Sequence, residues 1–423
     1  MSHVVEILSV GTELLLGNIV NADAQILSQG LSELGLNVYY HTVVGDNPQR
    51  AREAVAIAKG RSDIIITTGG LGPTCDDLTK NVLAEAFGKQ LVFDEESAQR
   101  IQRYFTRLGR TMTENNLQQA MLPEGCTILT NDWGTAPGCA FCADGVHVIM
   151  LPGPPSECAP MFRHRAVPYL QALSEGVIAS HTLKLFGIGE SAMEAHLREQ
   201  MNTMSNPTLA PYAKEGECEL RVTAKAATDE QAQTLLLPTV EQVKALFGAK
   251  IYGVNVSSLE EVVVTLCREQ GLTLGVAESC TGGLMAKRLT DLPGVSSVFK
   301  GGVVCYSNEV KTSCLGVPSQ LLTQFGAVSA EVAQAMADGA RKALHCDIAL
   351  AATGVAGPDR DEAGNEIGTM FVAISAPNCT HVRPLQLGNR PMRARLRTQT
   401  AHHAFDLARR YLTGLPLDDL DNI

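Results

Sequence analysis

The sequence predicts an α/β protein with more than one domain. Its 423 residues exceed what a single hydrophobic core usually organises. Apolar residues make up 45% of the chain but aromatic residues only 5%, which is typical of layers built from Val, Ile, Ala and Leu. Apolar strand-like runs alternate with amphipathic helical runs, and several of the strands end in glycine. This alternation predicts mostly parallel sheets covered by helices.

The first predicted domain spans residues 1–168. Its opening elements alternate regularly, as strand 4–11, helix 21–35, strand 36–45, helix 48–60 and strand 63–70. Further on, APGCAFCADGVHVIMLPGPP reads as a hairpin that turns at Asp144 and Gly145 and stops at a Pro-Gly-Pro-Pro run. We therefore expect a parallel sheet to which a hairpin is added.

Two further domains are predicted over residues 169–255 and 256–423. The smaller one contains the strand-like runs HTLKLFGIG and CELRVTAKA and two helical runs. The larger one begins with the helix SLEEVVVTLCREQG and continues as an α/β unit with the strands TLGVAES, KGGVVCYS, DIALAATG and GTMFVAISA. It ends in a basic helix from about residue 392 to 413. We place His381 in a polar loop before that helix.

Charge and hydropathy exclude several classes of protein. The net charge of -11 argues against a general nucleic-acid binder, which needs a basic face. Small anions remain suitable ligands because backbone amides bind phosphate without net positive charge. The sequence has no basic region followed by an apolar core at its start, and no apolar run approaches the roughly 18 residues of a membrane helix. We therefore expect a cytoplasmic protein with no membrane partner.

A glycine-rich loop in the first domain carries the first candidate site. In TTGGLGPTCDDLT, Gly69, Gly70 and Gly72 follow an apolar strand, and Asp76 and Asp77 stand at a predicted helix start. Glycines let backbone N–H groups approach a phosphate closely, and adjacent carboxylates can hold a hard divalent cation. The pattern suits cleavage of a phosphoanhydride. The structural alternative is a tight turn followed by an Asp76 N-cap.

Five motifs of this region resemble a known family. VGTELLLG, GGLGPTCDDLT, ENNLQQAMLPEG, NDWGTAPG and MLPGPPSE, in this order, are similar to the N-terminal domain of the CinA (competence/damage-inducible) proteins. That domain is itself similar to molybdopterin-binding domains, which implies a three-layer α/β/α fold. The resemblance also implies an ADP-ribose pyrophosphatase that uses a divalent metal (Mg, Mn or Co), with K⁺ as a further candidate cation.

The resemblance assigns roles to individual residues of the first domain. The candidate metal ligands are Asp76 and Asp77, with weaker candidates at Glu13, Asp46 and Glu157. The candidate substrate-binding residues are Gly69, Gly70, Gly72, Thr74 and Asn116.

The middle domain resembles the small KH-like α+β domain of the same proteins. A KH fold that binds RNA needs a basic GxxG loop. Here FGIGES offers GxG followed by Glu190, without Lys or Arg. We therefore expect a structural or dimerising module in a homodimer, and no nucleic-acid partner.

The stretch AESCTGG, residues 277–283, carries the second candidate site. It ends a predicted strand and opens a helix, so its side chains should project at the carboxyl edge of a sheet. Ser279, Cys280 and Thr281 are three candidate nucleophiles, and Gly282 and Gly283 can present N–H groups to a phosphate or an oxyanion. The structural alternative is a hydroxyl that merely caps the helix.

A base for these nucleophiles is found one strand later. A cysteine nucleophile normally needs a histidine, and no histidine of this domain follows a sheet-edge turn. These histidines are His345, His381, His402 and His403. Lys311, in CYSNEVK, lies one turn into a helix and could reach Ser279 if the two strands are neighbours, with Tyr306 nearby. The alternative is a solvated helix lysine.

The last domain resembles the CinA C-terminal domain, whose stand-alone relatives are nicotinamide mononucleotide deamidases. AESCTGG, YSNEVK, GAVSAEV, TGVAGPD and GTMFVAI carry this resemblance. It implies a serine amidohydrolase without a cofactor, in which Ser279 is the nucleophile, Lys311 the general base and Tyr306 an assisting residue.

The same resemblance implies a set of substrate-binding residues. GNRPMRARLRTQ is longer than the usual GDRxxxR and has Asn389 where Asp is common, so Arg390 or Arg397 is expected to bind substrate and Arg393 stays open. The other candidates are Thr281, Gly282, Gly283, Thr353 and Gly354.

Together these resemblances imply a bifunctional hydrolase that recycles pyridine nucleotides. One domain would hydrolyse ADP-ribose to AMP and ribose 5-phosphate, and the other would deamidate nicotinamide mononucleotide. The alternative is a nucleotide- or pterin-binding regulatory protein whose N-terminal domain is catalytically silent.

Overall fold

The computed structural model describes residues 3–173, 176–388, 390 and 392–418. The chain forms two compact units. One comprises Met1–Ala179 with Lys225–Ala232, and the other Ser180–Ala224 with Gln233–Ile423. The boundaries of the three predicted domains differ from those of the two units and remain a prediction.

The first unit is built around a mixed β-sheet. Its strands are β1 (Val4–Val10), β2 (Asn37–Val44), β3 (Ile64–Thr68), β4 (Leu91–Phe93), β5 (Met121–Pro123), β6 (Thr127–Leu129), β7 (Gly138–Ala143) and β8 (Val146–Leu151). Six of them form one sheet in the order β2–β1–β3–β8–β7–β6, and β4 pairs with β5. Strands β2, β1, β3 and β8 are parallel, whereas β7 pairs antiparallel with both of its neighbours, β8 and β6.

Helices cover both faces of this sheet. They are α1 (Thr12–Leu15), α2 (Ala22–Glu33), α3 (Pro48–Lys59), α4 (Thr79–Ala86), α5 (Glu95–Arg107), α6 (Pro155–Met161) and α7 (Val167–Gln171), with a 3₁₀ helix at Glu114–Ala120. Ile64 and Ile66 of β3 pack into one core with Leu27, whereas Ile65 packs into a second core with Leu83. Because β3 is buried on both faces, its sequence is continuously apolar. The predicted three-layer α/β/α arrangement is confirmed.

The predicted hairpin joins β7 to β8. Ala143 pairs with Val146, and the two residues between them, Asp144 and Gly145, both have positive φ angles of 53° and 78°. Such a two-residue turn matches the twist of the flanking strands. The Asp144 carboxylate also accepts a 2.7 Å ion pair from Lys59. The hairpin prediction is therefore confirmed.

The second unit contains two sheets. Its strands are β9 (Val177–Leu185), β10 (Thr208–Lys214), β11 (Glu217–Ala226), β12 (Ile251–Val254), β13 (Leu274–Glu278), β14 (Phe299–Val304), β15 (Ile348–Gly354), β16 (Thr369–Ala376) and β17 (Cys379–Gln386). Residues 177–179 of β9 and 225–226 of β11 are counted with the first unit. The smaller sheet has the order β10–β11–β9–β12 and the larger one β14–β13–β15–β16–β17. Strand β13 is parallel to β14 and β15, and the other pairs of the larger sheet are antiparallel.

The prediction that His381 lies in a loop is wrong. It lies in the edge strand β17, where it pairs with Ile374. Pro384 and several polar residues obscure this strand in the sequence, but an edge strand tolerates proline because one side of its backbone needs no partner.

Helices complete the second unit. They are α8 (Glu190–Thr203), α9 (Asp229–Phe247), α10 (Leu259–Gln270), α11 (Leu284–Thr290), α12 (Asn308–Leu315), α13 (Ser319–Phe325), α14 (Ala330–Ala343) and α15 (Arg393–Thr413). Buried Asp406 of α15 accepts hydrogen bonds from Arg383, Arg409 and Arg410 at 2.7–3.1 Å. Within the described ranges, none of the helices is both long and apolar enough to cross a membrane.

Candidate active sites

The AESCTGG motif lies where the strand β13 ends. This strand is flanked by β14 and β15, so the predicted adjacency of the two motif-bearing strands is confirmed. Ser279 follows β13 directly, and its N–H donates to the Ala352 carbonyl at 2.9 Å. The motif therefore stands at the carboxyl edge of the parallel part of the sheet, where ligands of α/β proteins bind.

Lys311 reaches Ser279 across this edge. Its Nζ lies 3.2 Å from Ser279 Oγ, 2.9 Å from the Cys305 carbonyl oxygen and 3.3 Å from the Tyr306 carbonyl oxygen. Ser307 caps α12 by accepting a hydrogen bond from the N–H of Val310, and this places Lys311 on the inner side of the first turn. The Lys311 side chain is 1% exposed, so the alternative of a solvated helix lysine is wrong.

The surroundings of Lys311 favour its neutral form. Burial lowers the pKa of Lys311 below its ordinary value, and no carboxylate pairs with it in the described part of the chain. A neutral amine has two N–H donors and one lone pair. The carbonyls of Cys305 and Tyr306 can only accept, so they take the two N–H groups. In the neutral form the lone pair would then face the hydroxyl of Ser279, whose Oγ lies 3.2 Å from Nζ.

Cys280 has the opposite environment. Its side chain belongs to the hydrophobic core and is 5% exposed. Burial raises the pKa of the Cys280 thiol to about 12, which keeps the sulfur protonated and weakly nucleophilic at neutral pH. A cysteine nucleophile would also need a histidine partner. The ring of His403 instead packs edge-on against Phe186, with centroids 4.9 Å apart. These contacts favour Ser279 over Cys280 as the nucleophile.

The glycines of the motif do not present free N–H groups, which corrects our expectation. The N–H of Gly282 donates to the Ser279 carbonyl at 3.2 Å, and that of Gly283 donates to Glu278 Oε2 at 3.0 Å. Fully buried Glu278 also accepts two N–H groups from the first turn of α11. Gly282 and Gly283 adopt positive φ angles of 58° and 92°, so they form the turn between strand and helix.

Two other N–H groups of the turn are not used in backbone pairing among the described residues. Those of Cys280 and Thr281 meet no carbonyl or carboxylate acceptor among the described residues. The Thr281 hydroxyl is also buried without a partner there. Unsatisfied donors directly after a nucleophile are suited to an oxyanion.

The structure brings Arg397 of α15 to this turn and Arg393 of the same helix to Gly357 and Tyr306. Arg397 donates from Nε and Nη2 to the Thr281 carbonyl at 3.2 and 2.6 Å. Arg393 donates to the Gly357 carbonyl at 2.7 Å and to the Tyr306 hydroxyl at 3.1 Å. The order of residues in the sequence left this choice open.

The remaining candidates contribute differently. Arg390 is exposed and makes no side-chain contact with the turn among the described residues, and Asn389 lies outside those residues. Tyr306 contacts Lys311 through its carbonyl, and its ring is exposed.

The buried Thr353 hydroxyl donates to the Ala327 carbonyl at 2.8 Å. At Gly354, a Cβ atom would lie 2.0 Å from Met370 Sδ, so close packing requires glycine there. Substrate binding by these residues remains a prediction.

A cavity of about 530 Å³ marks the candidate site of the first unit. It opens at the carboxyl ends of β1, β3 and β8. Nearly all predicted site residues of this unit line it, namely Glu13, Asp46, Gly69, Gly70, Gly72, Thr74, Asp76, Asp77 and Glu157. The fold thus gathers residues that are up to 144 positions apart in the sequence, from Glu13 to Glu157.

Two glycines of this cavity are required by the backbone. Gly69 and Gly70 have φ angles of 89° and 66°, which favour glycine. A Cβ atom at Gly69 would lie 2.2 Å from the Val10 carbonyl oxygen, and one at Gly70 would lie 2.1 Å from Thr79 Oγ1. The loop therefore packs tightly against the end of β1 and the start of α4.

Asp76 and Asp77 share one hydroxyl. Thr74 Oγ1 donates to Asp76 Oδ1 and lies 2.5 Å from Asp77 Oδ2, which also accepts the Thr74 N–H at 2.8 Å. The Thr74 hydroxyl lowers the pKa of the exposed Asp76 carboxyl. Because α4 begins at Thr79 without a side-chain cap, the alternative role of Asp76 as an N-cap is wrong.

The other acidic residues are also held by the fold. Asp46 accepts the Thr12 N–H at 2.8 Å, and Glu157 accepts a 2.6 Å hydrogen bond from Asn131. Burial raises the pKa of Glu157 above its ordinary value. Across the described ranges, no group of three or more His, Cys, Asp or Glu side chains is arranged to hold a metal ion. The carboxylates therefore line the cavity without forming a preassembled protein chelate.

Asn116 does not line this cavity, and its assignment to substrate remains a prediction. Its Oδ1 accepts hydrogen bonds from the N–H and hydroxyl of Thr113 in a capping box. Sequence reasoning missed Lys80, whose buried Nζ donates to the Gln118 and Gln119 carbonyls at 2.8 and 2.9 Å. Burial lowers the pKa of Lys80 to about 8. No local pattern in the sequence signals this contact.

Three family models match consecutive parts of the chain. Residues 6–172 match the family model of a probable molybdopterin binding domain, 180–253 the damage-inducible protein CinA KH domain, and 256–412 the CinA C-terminal domain. The chain is 48% identical over 410 residues to a CinA-like protein of Dictyoglomus turgidum, covering 97% of this chain and 99% of that protein. It is 47% identical over 412 residues to a CinA-like protein of Kosmotoga olearia, with the same coverage.

Solved structures match part of the chain. The protein CinA from Thermoplasma acidophilum is 32% identical and aligns with 40% of this chain and 98% of that chain, at a TM-score of 0.37. A competence/damage inducible protein from Agrobacterium tumefaciens is 36% identical and aligns with 37% of this chain and 93% of that chain, at a TM-score of 0.35. Because the full-length relatives match almost from end to end, the chain belongs to the CinA family, with a molybdopterin-binding-like N-terminal domain, a KH-like middle domain and a CinA C-terminal domain.

Proposed function

We propose that the second unit deamidates nicotinamide mononucleotide to nicotinic acid mononucleotide and ammonia. The observation that carries this proposal is the 3.2 Å contact between Lys311 Nζ and Ser279 Oγ. A buried lysine with a lowered pKa is a suitable base for a serine hydroxyl. No cofactor is needed for this chemistry.

The reaction begins with attack on the carboxamide. Ser279 Oγ forms a bond to the carboxamide carbon while its proton passes to the neutral Nζ of Lys311. The carboxamide oxygen gains the negative charge. The N–H groups of Cys280 and Thr281, which meet no backbone carbonyl among the described residues, are the donors that would stabilise it.

The intermediate then collapses and is hydrolysed. Lys311 returns the proton to the leaving nitrogen, the C–N bond breaks, and ammonia departs from an acyl-Ser279 intermediate. A water molecule attacks the same carbon and gives its proton to Lys311. The bond to Ser279 breaks as its oxygen recovers a proton, and the carboxylic acid product is released.

Two cations support a nucleotide substrate. Neither Arg393 nor Arg397 forms an ion pair with a carboxylate in the part of the chain that the structure describes. Each guanidinium has five donors, so both retain groups that can bind a phosphate. The exposed ring of Tyr306, next to Arg393, offers a surface for the flat nicotinamide ring.

Ammonia release from nicotinamide mononucleotide tests this proposal. We expect Ser279→Ala and Lys311→Ala to lose at least about a thousandfold in rate, since each removes a reacting group. Cys280→Ala is the matched control at the neighbouring position and should retain activity. Turnover by Ser279→Ala at the parental rate would overturn the assignment of the nucleophile.

We further propose that the first unit hydrolyses ADP-ribose to AMP and ribose 5-phosphate with a divalent metal. The observation in favour is a single cavity that combines the Gly69–Gly72 loop with several carboxylates. Oxygen ligands suit Mg²⁺ or Mn²⁺, and Mg²⁺ is usually bound through one or two carboxylates together with substrate phosphates. Asp76 and Asp77 would hold it, and the ion would neutralise charge on the phosphoanhydride. Co²⁺ as the metal, K⁺ as a further cation and a homodimeric assembly are part of the same proposal.

The alternative is a regulatory domain that binds a nucleotide or pterin without turning it over. AMP release by the full chain carrying Ser279→Ala, with and without Mg²⁺, separates the two functions. We expect metal-dependent release that is lost in Asp76→Ala/Asp77→Ala. Binding of ADP-ribose without AMP release at any metal concentration would favour the regulatory alternative.

A further inference from the structure

A second cavity of the first unit has no role in the proposed chemistry. It has a volume of about 270 Å³ and lies between α5 and residues 130–137, which include most of the motif NDWGTAPG. The family resemblance rests partly on this motif, yet none of the proposed catalytic or metal-binding residues comes from it.

The cavity is rich in positive charge. Arg103 and Arg107 line it, and within the described residues neither forms an ion pair with a carboxylate. One acidic side chain of the described chain, Asp132, also lines it, but its two oxygens are taken by Arg100 and, at 2.7 Å, by Arg165. The local balance is therefore clearly positive in a chain whose net charge is -11.

Three hydroxyl groups add uncharged donors to this lining. Ser97, Thr130 and Thr135 line the cavity, and their hydroxyls form no hydrogen bond with any described residue. Ser97 is only 4% exposed. These hydroxyls are therefore available to a ligand in the cavity. Guanidinium and hydroxyl donors together match the oxygens of a phosphate.

This cavity adjoins the candidate catalytic cavity. Thr135 lines both. Asn131 donates to Glu157 of the catalytic cavity at 2.6 Å, and its Oδ1 accepts the N–H groups of Trp133 and Gly134 at 3.0 and 2.8 Å. Asn131 therefore connects the loop between the two cavities to Glu157 of the catalytic cavity.

We propose that the cavity binds the phosphate monoester group of a nucleotide or sugar phosphate. The choice of ligand rests on the proposed function, because hydrolysis of ADP-ribose at the neighbouring site produces two phosphate monoesters, AMP and ribose 5-phosphate. A monoester carries nearly two negative charges at neutral pH, which suits two arginines that lack carboxylate partners. The guanidinium of Arg107 lies over the ring of Tyr104, 5.2 Å from its centroid, which holds this arginine at the cavity.

Calorimetric titration of the full chain in EDTA tests this proposal, with inorganic phosphate, AMP and ribose 5-phosphate as the three probes. We expect Arg103→Gln/Arg107→Gln to weaken monoester binding at least about tenfold, since each arginine supplies charge-assisted hydrogen bonds. Arg110→Gln is the matched control, because it removes the same charge just beyond α5 without lining the cavity. Tighter binding of AMP than of ribose 5-phosphate identifies the nucleotide as the ligand, and the reverse identifies the sugar phosphate.

Two results would overturn the proposal. One is no binding of any of the three probes, and the other is equal affinity in the parent and the double variant. Measuring ADP-ribose turnover in the same samples separates this inference from the proposed function. Arginine-dependent binding without turnover would retain the site and reject the pyrophosphatase, whereas turnover with arginine-independent binding would reject the site alone.

Discussion

Replacement of Lys311 by methionine is the sharpest test of the second unit. Methionine keeps an unbranched side chain of similar length but lacks the Nζ atom that lies 3.2 Å from Ser279 Oγ. General-base catalysis contributes about 10²- to 10⁴-fold in rate. We therefore expect Lys311→Met to lose about 3–6 kcal/mol of transition-state stabilisation, since each factor of ten is worth about 1.4 kcal/mol.

The effect of this substitution on stability should be much smaller. It leaves the buried carbonyl of Cys305 without its 2.9 Å donor, which costs about 1–3 kcal/mol. It also removes an amine whose protonated form is disfavoured by burial. These two effects oppose each other, so the variant should fold and lose activity.

The pH dependence has a definite sign. The neutral form of Lys311 is the base, so the deamidation rate should rise with pH through the lowered pKa of Lys311. Below that pKa the fold bears the full cost of a buried ammonium. This cost disappears as the pH rises toward the unfolded lysine value of about 10.4. The parent should therefore gain stability relative to Lys311→Met over this window.

Ammonia release between pH 6 and 10, with urea denaturation at the same pH values, measures both effects. A Lys311→Met variant that stays folded and keeps the parental rate and pH profile would refute the role of Lys311 as base. A parent that loses stability relative to the variant as the pH rises would refute the inferred direction of the pKa shift.

Three further predictions concern other parts of the chain. Cys280→Ala should keep its deamidation rate, because the protonated thiol takes no part in attack; a large loss would return the thiol to consideration. Asp406→Asn should cost about 3–5 kcal/mol in urea denaturation, since three buried arginines lose their carboxylate, whereas Asp418→Asn at an exposed pair should cost less than about 1 kcal/mol. Gly69→Ala should destabilise the first unit and abolish AMP release, while Gly88→Ala, which meets open space, should cost only about 1 kcal/mol.

Part of the candidate chemistry was predictable because it depends on strand adjacency. The predicted contact between Ser279 and Lys311 required only that β13 and β14 be neighbours, and consecutive strands of an α/β sheet often are. In the same way, the glycine loop of the first unit and its two aspartates follow one strand, so their placement at one sheet edge follows from local order.

Other features depend on contacts between distant residues. Sequence order could not show that Glu278 takes the N–H of Gly283, because a carboxylate at a strand end can equally face a ligand. It could not choose among the arginines of α15, since that choice depends on which face of the helix meets the turn. It could not show that the Asn116 side chain forms a capping box with Thr113, because the same amide could equally face a ligand.

The sequence by itself determined the helix-covered sheets, the hairpin at Asp144–Gly145 and the location of the two site motifs at sheet edges. These features follow from the hydrophobic period and from turn chemistry, which are local properties of a sequence. Only the tertiary structure decided which donors remain free. Burial removes water from Lys311 and Cys280 and shifts their pKa values in ways that favour the serine. Packing likewise left Arg103 and Arg107 without carboxylate partners among the described residues, and partners of this kind come from elements far apart in the chain.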